Sequence, residues 1–155
     1  MAAKSFTLKF DGYWLGAAVG GLPVKSGIYG VYASTFNDSA NTVTLNRLIY
    51  IGESENVQSR VKGHEKWPDW RKQLKSGEAL SFNCALISGS DDRQRAEAAE
   101  IFKHKPVCNS DYTNNFPFDR TTISNEGNAA LFVSPFTVER TEDPASKRHS
   151  LYVWR

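Results

Sequence analysis

Two β-prone blocks flank a polar one between Ser26 and Glu65, and no other feature restricts the fold as much. GIYGVYAS (27–34) and LNRLIYIG (45–52) are rich in β-branched and aromatic residues, which suit a pleated, half-buried surface. The intervening TFNDSANT is polar and turn-forming, so the pair is expected as a hairpin closed by a long loop. Inside the two strands lie near-mirror tripeptides, Gly27-Ile28-Tyr29 and Tyr50-Ile51-Gly52.

The rest of the chain supplies partners for that hairpin. KSFTLKF (4–10) alternates apolar and polar residues like a half-buried strand. Gly12 to Pro23 reads as a loop or short helix. Ser54 is expected to cap a helix that carries Val57, Arg60, Val61 and His64 at helical spacing. Pro68 fits the first turn of a second helix, through Trp70 and Leu74, ending at Ser76-Gly77. ALSFNCALIS (79–88) reads as a buried strand. A helix follows, capped by Ser90 or Asp91, acidic at its start, closed by Lys103, His104 and Lys105 and stopped by Pro106.

The order β-β-α-α-β-α from the hairpin onward predicts an α/β or α+β sandwich, a small, mostly antiparallel sheet flanked by helices. Beyond Asn109 the chain is loop-rich, with short strands expected near Thr121–Ser124, Ala129–Val133 and Thr137–Arg140 and a turn at Glu126-Gly127-Asn128. At 155 residues one domain is expected, with 110–155 an accessory extension of it.

Composition narrows the class. The net charge of +2 neither demands nor excludes nucleic acid, since a basic face can coexist with acidic residues elsewhere. MAAKSFTLKFDGYW lacks a secretory apolar run and no segment is long enough to cross a bilayer, so a cytoplasmic protein without a membrane partner is expected. Cys84 and Cys108 have no CxxC spacing and no paired histidines, which argues against zinc and for reduced thiols.

At this point the residues carry a resemblance. The two tripeptides are similar to the signature of the GIY-YIG endonuclease family. Arg60 lies ten residues after Tyr50 and His64 four after Arg60, which resembles the family's first-helix pattern, with both side chains on one helical face. EAAEIFKHKPVCN resembles its closing block: a helix with a metal-binding glutamate, then a proline, then an asparagine. That alignment selects Glu97, not Glu100, with Asn109 closing the block. The match covers roughly 22–109. The loop between the tripeptides is longer than is usual in the family, which bears on substrate contacts more than on catalysis.

The resemblance implies a metal-dependent endonuclease that hydrolyses DNA phosphodiester bonds, RNA not being excluded as a partner. It implies one Mg2+, or another divalent cation such as Mn2+, on Glu97, and Tyr29 as the general base. Tyr50 and His64 would take positioning roles and Asn109 a structural hydrogen-bonding role. The chemistry is coherent on its own terms. A hard cation is content with one or two carboxylates and several waters, and it polarises phosphate and stabilises the leaving oxygen. Arg60 offers a planar fork for a phosphate oxygen. A tyrosine or histidine is left to orient and deprotonate water. Tyrosine ordinarily titrates near about 10, so Tyr29 serves as a base only if Arg60 or the metal favours the phenolate.

Taken singly, each residue has an ordinary reading: strand aromatics, a solvated arginine, a surface histidine, a helical glutamate, a loop asparagine. Jointly they fall at matching offsets from Tyr29 to Asn109. Lys62, Lys66, Arg71, Lys72 and Lys75 crowd the two helices after the hairpin, with Trp67 and Trp70 among them. They are candidate nucleic-acid contacts, basic groups for phosphates and aromatics for exposed bases, or else a solvated face with its tryptophans turned inward. A binding module that keeps this fold without cutting is the alternative from another class. Oligomeric state is not legible.

Overall fold

The computed structural model describes residues 2–141; the end of the expected extension, 142–155, lies outside the described residues. The hairpin is longer than expected. β2 (Gly27–Asn37) and β3 (Thr42–Ser54) pair antiparallel from Gly27↔Ser54 out to Asn37↔Thr42. Half of the polar stretch is therefore strand, and only 38–41 turn. Asn37 Oδ1 accepts from Ala40 N–H, and Asn41 N–H donates to the Asp38 carbonyl. Residues that read as a long loop instead close a tight turn.

β1 (Lys4–Leu15) also overruns its expected end. Gly12 to Leu15 stay in the strand because they pair with β4 (Ala79–Leu86), and a 3₁₀ helix at Gly16–Gly21 supplies the short helical piece. α1 (Val57–Lys62) is capped by Asn56, whose side chain accepts from Ser59 N–H at 3.1 Å. Ser54, the expected cap, holds Asn56 in place by accepting its N–H. α2 (Trp67–Lys72) has Pro68 in its first turn and stops short of Leu74. α3 (Ser90–His104) starts one or two residues before either expected cap allows, with Gly89 at the cap position in a positive-φ conformation, φ 85°, that suits glycine.

The molecule is an α+β protein built on a six-stranded, mixed, mostly antiparallel curled sheet, in the order β3-β2-β4-β1-β5-β6. β5 (Thr121–Gly127) runs parallel to β1, and β6 (Phe136–Val138) closes the far edge antiparallel to β5. The strand expected at Ala129–Val133 is absent: Gly127 at φ 75° ends β5, and Leu131 at φ 66° keeps the following segment turning. Buried Arg95 ties this region to α3 by donating to the carbonyls of Ala2, Asp119 and Arg120.

The sheet has a helix layer on each face. Ile28, Tyr32 and Ile51 face the cluster that holds Ala96, Ala99 and Ile101 of α3. Tyr29, Val31 and Ala33 face the cluster that holds Val57 and Val61 of α1 and Trp70 of α2. Successive residues of β2 thus serve opposite layers. In β3 the register slips between Val31↔Tyr50 and Tyr32↔Leu48. Ile49 is the extra residue of this bulge, and it joins Tyr50 on the α1–α2 face. No helix among the described residues is long and apolar enough to cross a membrane. Both thiols are free, Cys84 buried and Cys108 half-buried.

Candidate active site

The two tripeptides meet through their register. Tyr29 lies opposite Gly52, and a Cβ added at Gly52 would come within 2.4 Å of the Tyr29 Cζ and Oη atoms. The glycine of the second tripeptide is thus the seat of the tyrosine ring of the first. Gly27 is equally constrained, since a Cβ there would meet the Ala85 carbonyl at 2.5 Å. These are ordinary paired strands, but their glycines are spent on bringing rings and backbones close.

Around Tyr29 the aromatic rings converge. Its centroid is 6.3 Å from Tyr50 and 6.4 Å from His64, and Tyr50 and His64 are 5.3 Å apart. Trp70 backs them, 4.6 Å from His64 and 5.3 Å from Tyr50. His64 reaches this cluster from beyond α1, after Gly63, so it does not share a helical face with Arg60 as expected. A short turn does the work that one more helical turn would have done.

His64 is a buried, neutral imidazole. Burial, helped by the Arg60 and Lys66 charges, pushes its pKa down to about 4. Its Nδ1 accepts from Lys66 N–H at 3.0 Å, which assigns the proton to Nε2. Nε2 is buried and has no hydrogen-bond partner among the described residues. With its one lone pair engaged, His64 is a hydrogen-bond donor in this cluster, not a base.

The tyrosines are also protonated. Burial raises the Tyr29 pKa well above its ordinary value, and the neighbouring Tyr50 adds to the rise. Arg60 pulls the other way but comes third, so the expectation that Arg60 would favour the phenolate is outweighed by burial. Tyr50 is pushed up to about 12, again by burial first and then by Glu97.

Arg60 is half-exposed, and its fork is already filled. Nη1 and Nη2 donate to the two carboxylate oxygens of Glu65 at 2.8 and 3.0 Å. That pairing holds the Glu65 pKa down to about 2. A bidentate carboxylate has the geometry of two phosphate oxygens, and Glu65 was not singled out from the sequence, although it directly follows His64.

Glu97 rises from α3 toward the edge strand β3. It lines a small cavity of about 80 Å³ with Tyr50, Lys66, Asn109, Asp111 and Tyr112. Burial, then the charges of Glu53 and Asp111, raise its pKa to about 8, with Arg93 opposing. Arg93 is buried and paired with Glu53. Asn109 brackets the edge strand: Ile51 N–H donates to its Oδ1 at 3.0 Å and its Nδ2 donates to the Ile51 carbonyl at 2.9 Å. The side chain thus acts as a surrogate strand backbone beside Tyr50 and Gly52.

No group of three or more His, Cys, Asp or Glu side chains that could hold a metal ion occurs among the described residues. Among the described residues the cavity's own carboxylates are Glu97 and Asp111. Glu97 is one half-buried carboxylate whose ionisation is disfavoured by two neighbouring acids, facing a cavity with room for a few waters. That fits a hard, hydrated cation such as Mg2+ held by few protein oxygens.

The basic residues after the hairpin separate into groups. Lys66 is half-buried and lines the Glu97 cavity. Lys62 and Arg71 are exposed and line a larger groove with Trp67. Lys72 and Lys75 are exposed and border neither. Trp70 is fully buried, so of the two tryptophans only Trp67 is placed to meet a ligand. A scan against protein-family models finds no match, and searches of curated proteins and of solved structures likewise find no relative.

Proposed function

We propose that this chain is a metal-dependent endonuclease that cuts DNA phosphodiester bonds at the rim between Arg60 and Glu97. One observation carries the reading. Tyr29, Tyr50, His64, Arg60, Glu97 and Asn109 are separated by up to 80 positions in the chain, yet they converge on one end of β3. Arg60 and Glu97 both act on the charge of each tyrosine, with opposite sign. Nothing in packing a sheet requires that arrangement. The similarity to the GIY-YIG pattern supports the same reading.

Glu97 is the residue that would hold Mg2+ or Mn2+, and a cation bound there supplies Lewis-acid polarisation of the phosphate and neutralises the leaving oxygen. The chain's own residues do the rest. Arg60, exchanging Glu65 for a non-bridging phosphate oxygen pair, orients the scissile group. Tyr29 hydrogen-bonds the attacking water. It takes the water's proton only to the extent that positive charge outweighs its burial, and Arg60 released from Glu65 is the charge the chain itself brings. His64 Nε2–H is a fixed donor that orients Tyr50 or the phosphate, and Asn109 keeps β3 in register beneath them.

The test is nicking of supercoiled plasmid, with single-stranded, duplex, branched and RNA substrates alongside, with Mg2+ and with chelator. Cleavage that appears with Mg2+ and stops with chelator supports the proposal. Tight DNA binding with no cleavage under any divalent cation would make the chain a binding module instead.

A further inference from the structure

A groove of about 950 Å³ lies beside α2, and Glu97 is not among its lining residues. The far end of the hairpin brings Phe36 to it, 37% exposed, and α2 brings Trp67 and Arg71. The Arg71 guanidinium sits 5.1 Å above the Trp67 ring. Lys62 borders the same groove, two residues beyond Arg60. Its single lining acid, Glu78, is fully committed. Arg47 donates to both its oxygens, at 2.9 and 2.6 Å, and Lys75 N–H and Asn46 Nδ2 donate as well. The charges left facing a ligand are therefore positive, set among aromatic faces.

Packed rings link this groove to the site. The Trp67 ring lies 5.4 Å from Trp70, and Trp70 lies 4.6 Å from His64. Trp67 is fixed in that ladder because its Nε1 donates to the Val61 carbonyl at 2.7 Å. Two ring-to-ring steps thus connect the groove to the tyrosine cluster.

We propose that the groove takes the unstacked bases of a single-stranded DNA segment adjoining the bond to be cut. Aromatic and guanidinium faces bind bases by stacking, and flanking Lys and Arg track the backbone. An intact duplex keeps its base faces inside its own stack and has nothing to offer Phe36 or Trp67. The volume falls within the range of about 300–1,000 Å³ usual for small-ligand sites. The proposal rests on the nuclease reading only for what lies next to the groove. The substrate class it implies is DNA with an unpaired flank.

The experiment uses the full chain carrying Glu97→Gln, so that nothing is cut, with a fluorescein-labelled twelve-nucleotide oligothymidylate followed by anisotropy and by tryptophan emission. The parent is expected to bind it more tightly than a blunt twelve-base-pair duplex, with quenched emission. Phe36→Ser and Arg71→Glu, both at exposed positions, are each expected to weaken binding by about tenfold or more. Lys9→Glu, an equal charge change on exposed β1, should leave it nearly unchanged. Circular dichroism checks that each variant is folded. Unaltered affinity in folded Phe36→Ser and Arg71→Glu, or a duplex that outcompetes the oligothymidylate, overturns the proposal. Cleavage of plasmid by the wild-type chain is scored separately. Groove-dependent binding without any cleavage would sink the nuclease reading and keep the groove, whereas cleavage with groove variants that bind normally would do the reverse.

Discussion

Glu97 and Glu100 are one turn apart on α3, and both carboxyls are pushed up to about 8, by burial first. Yet they belong to different parts of the molecule. Glu97 is half-buried and faces a cavity shared with Tyr50, Lys66 and Asn109. Glu100 is fully buried, accepts from Asn125 Nδ2 at 3.1 Å, and leaves Oε2 without a partner among the described residues. β2 repeats the contrast. Tyr29 packs toward the α1–α2 face and the ring cluster, whereas Tyr32, three residues on, packs toward α3. The Tyr32 hydroxyl donates to the Ala130 carbonyl at 2.7 Å and accepts from Asn83 Nδ2 at 3.0 Å. A raised pKa alone therefore does not mark a functional group. What separates the pairs is the half-buried, cavity-facing position of Glu97 against sealed Glu100, and a Tyr32 hydroxyl already committed to Ala130 and Asn83.

The tyrosine pair gives the largest expected split. Tyr29→Phe should lower cleavage by about 10²–10⁴-fold with the fold intact, while Tyr32→Phe should lower stability by about 1–3 kcal/mol, because it removes a buried hydrogen-bond partner. Activity of the Tyr32 variant should follow its folded fraction. Thermal unfolding measured beside single-turnover cleavage separates the two, and equal losses in both variants would erase the distinction between the faces.

Arg60→Lys sharpens it at the rim. A lysine keeps the charge but loses the fork that now clasps Glu65, so a loss on the order of 10²-fold in turnover is expected. A lysine variant with wild-type turnover would reduce Arg60 to surface charge.

The sequence made one side of this comparison far easier to see than the other. Residues of the site sit on strongly patterned elements: Tyr29 and Tyr50 in β-prone blocks, Glu97 on a helix with a clear stop at Pro106. Glu65, Glu53 and Asp111 were missed, and Lys66 was read only as a nucleic-acid contact, because their roles arise from tertiary approach, not from local pattern. Asp111, two residues after Asn109, could have been noticed from spacing. Gly12 to Leu15, the end of β1, read as loop because propensity cannot register a partner strand about 70 residues away. The Asn56 cap, displaced from Ser54, turned on a choice between two good capping residues that only geometry settles. His104 was read as a charge closing the helix. Its half-buried ring instead packs inward: Nε2 accepts from Val133 N–H at 2.8 Å, and burial lowers its pKa.

A smaller effect follows from Glu100. Its pKa rises from 4.5 unfolded to about 8 folded, so the folded chain holds the proton more tightly. Its contribution to stability is full below the unfolded pKa and is lost as pH climbs through the folded one. The wild-type midpoint should fall between pH 5 and pH 8 by clearly more than that of Glu100→Gln, in the direction set by the raised pKa. Parallel melting curves across that range would break the assignment of Glu100 to the sealed core.

The most direct measurement sets Glu97→Gln beside Glu100→Gln in Mg2+-dependent plasmid nicking, with each variant's thermal midpoint recorded. An amide nearly matches a carboxylate in shape but cannot hold a hard cation in the same way. The expected result is loss of nicking in Glu97→Gln with the fold retained, and Glu100→Gln cutting at close to the wild-type rate. Retained nicking by Glu97→Gln at saturating Mg2+, or loss confined to Glu100→Gln, would contradict the placement of the active site on the Tyr50–Asn109 side of α3.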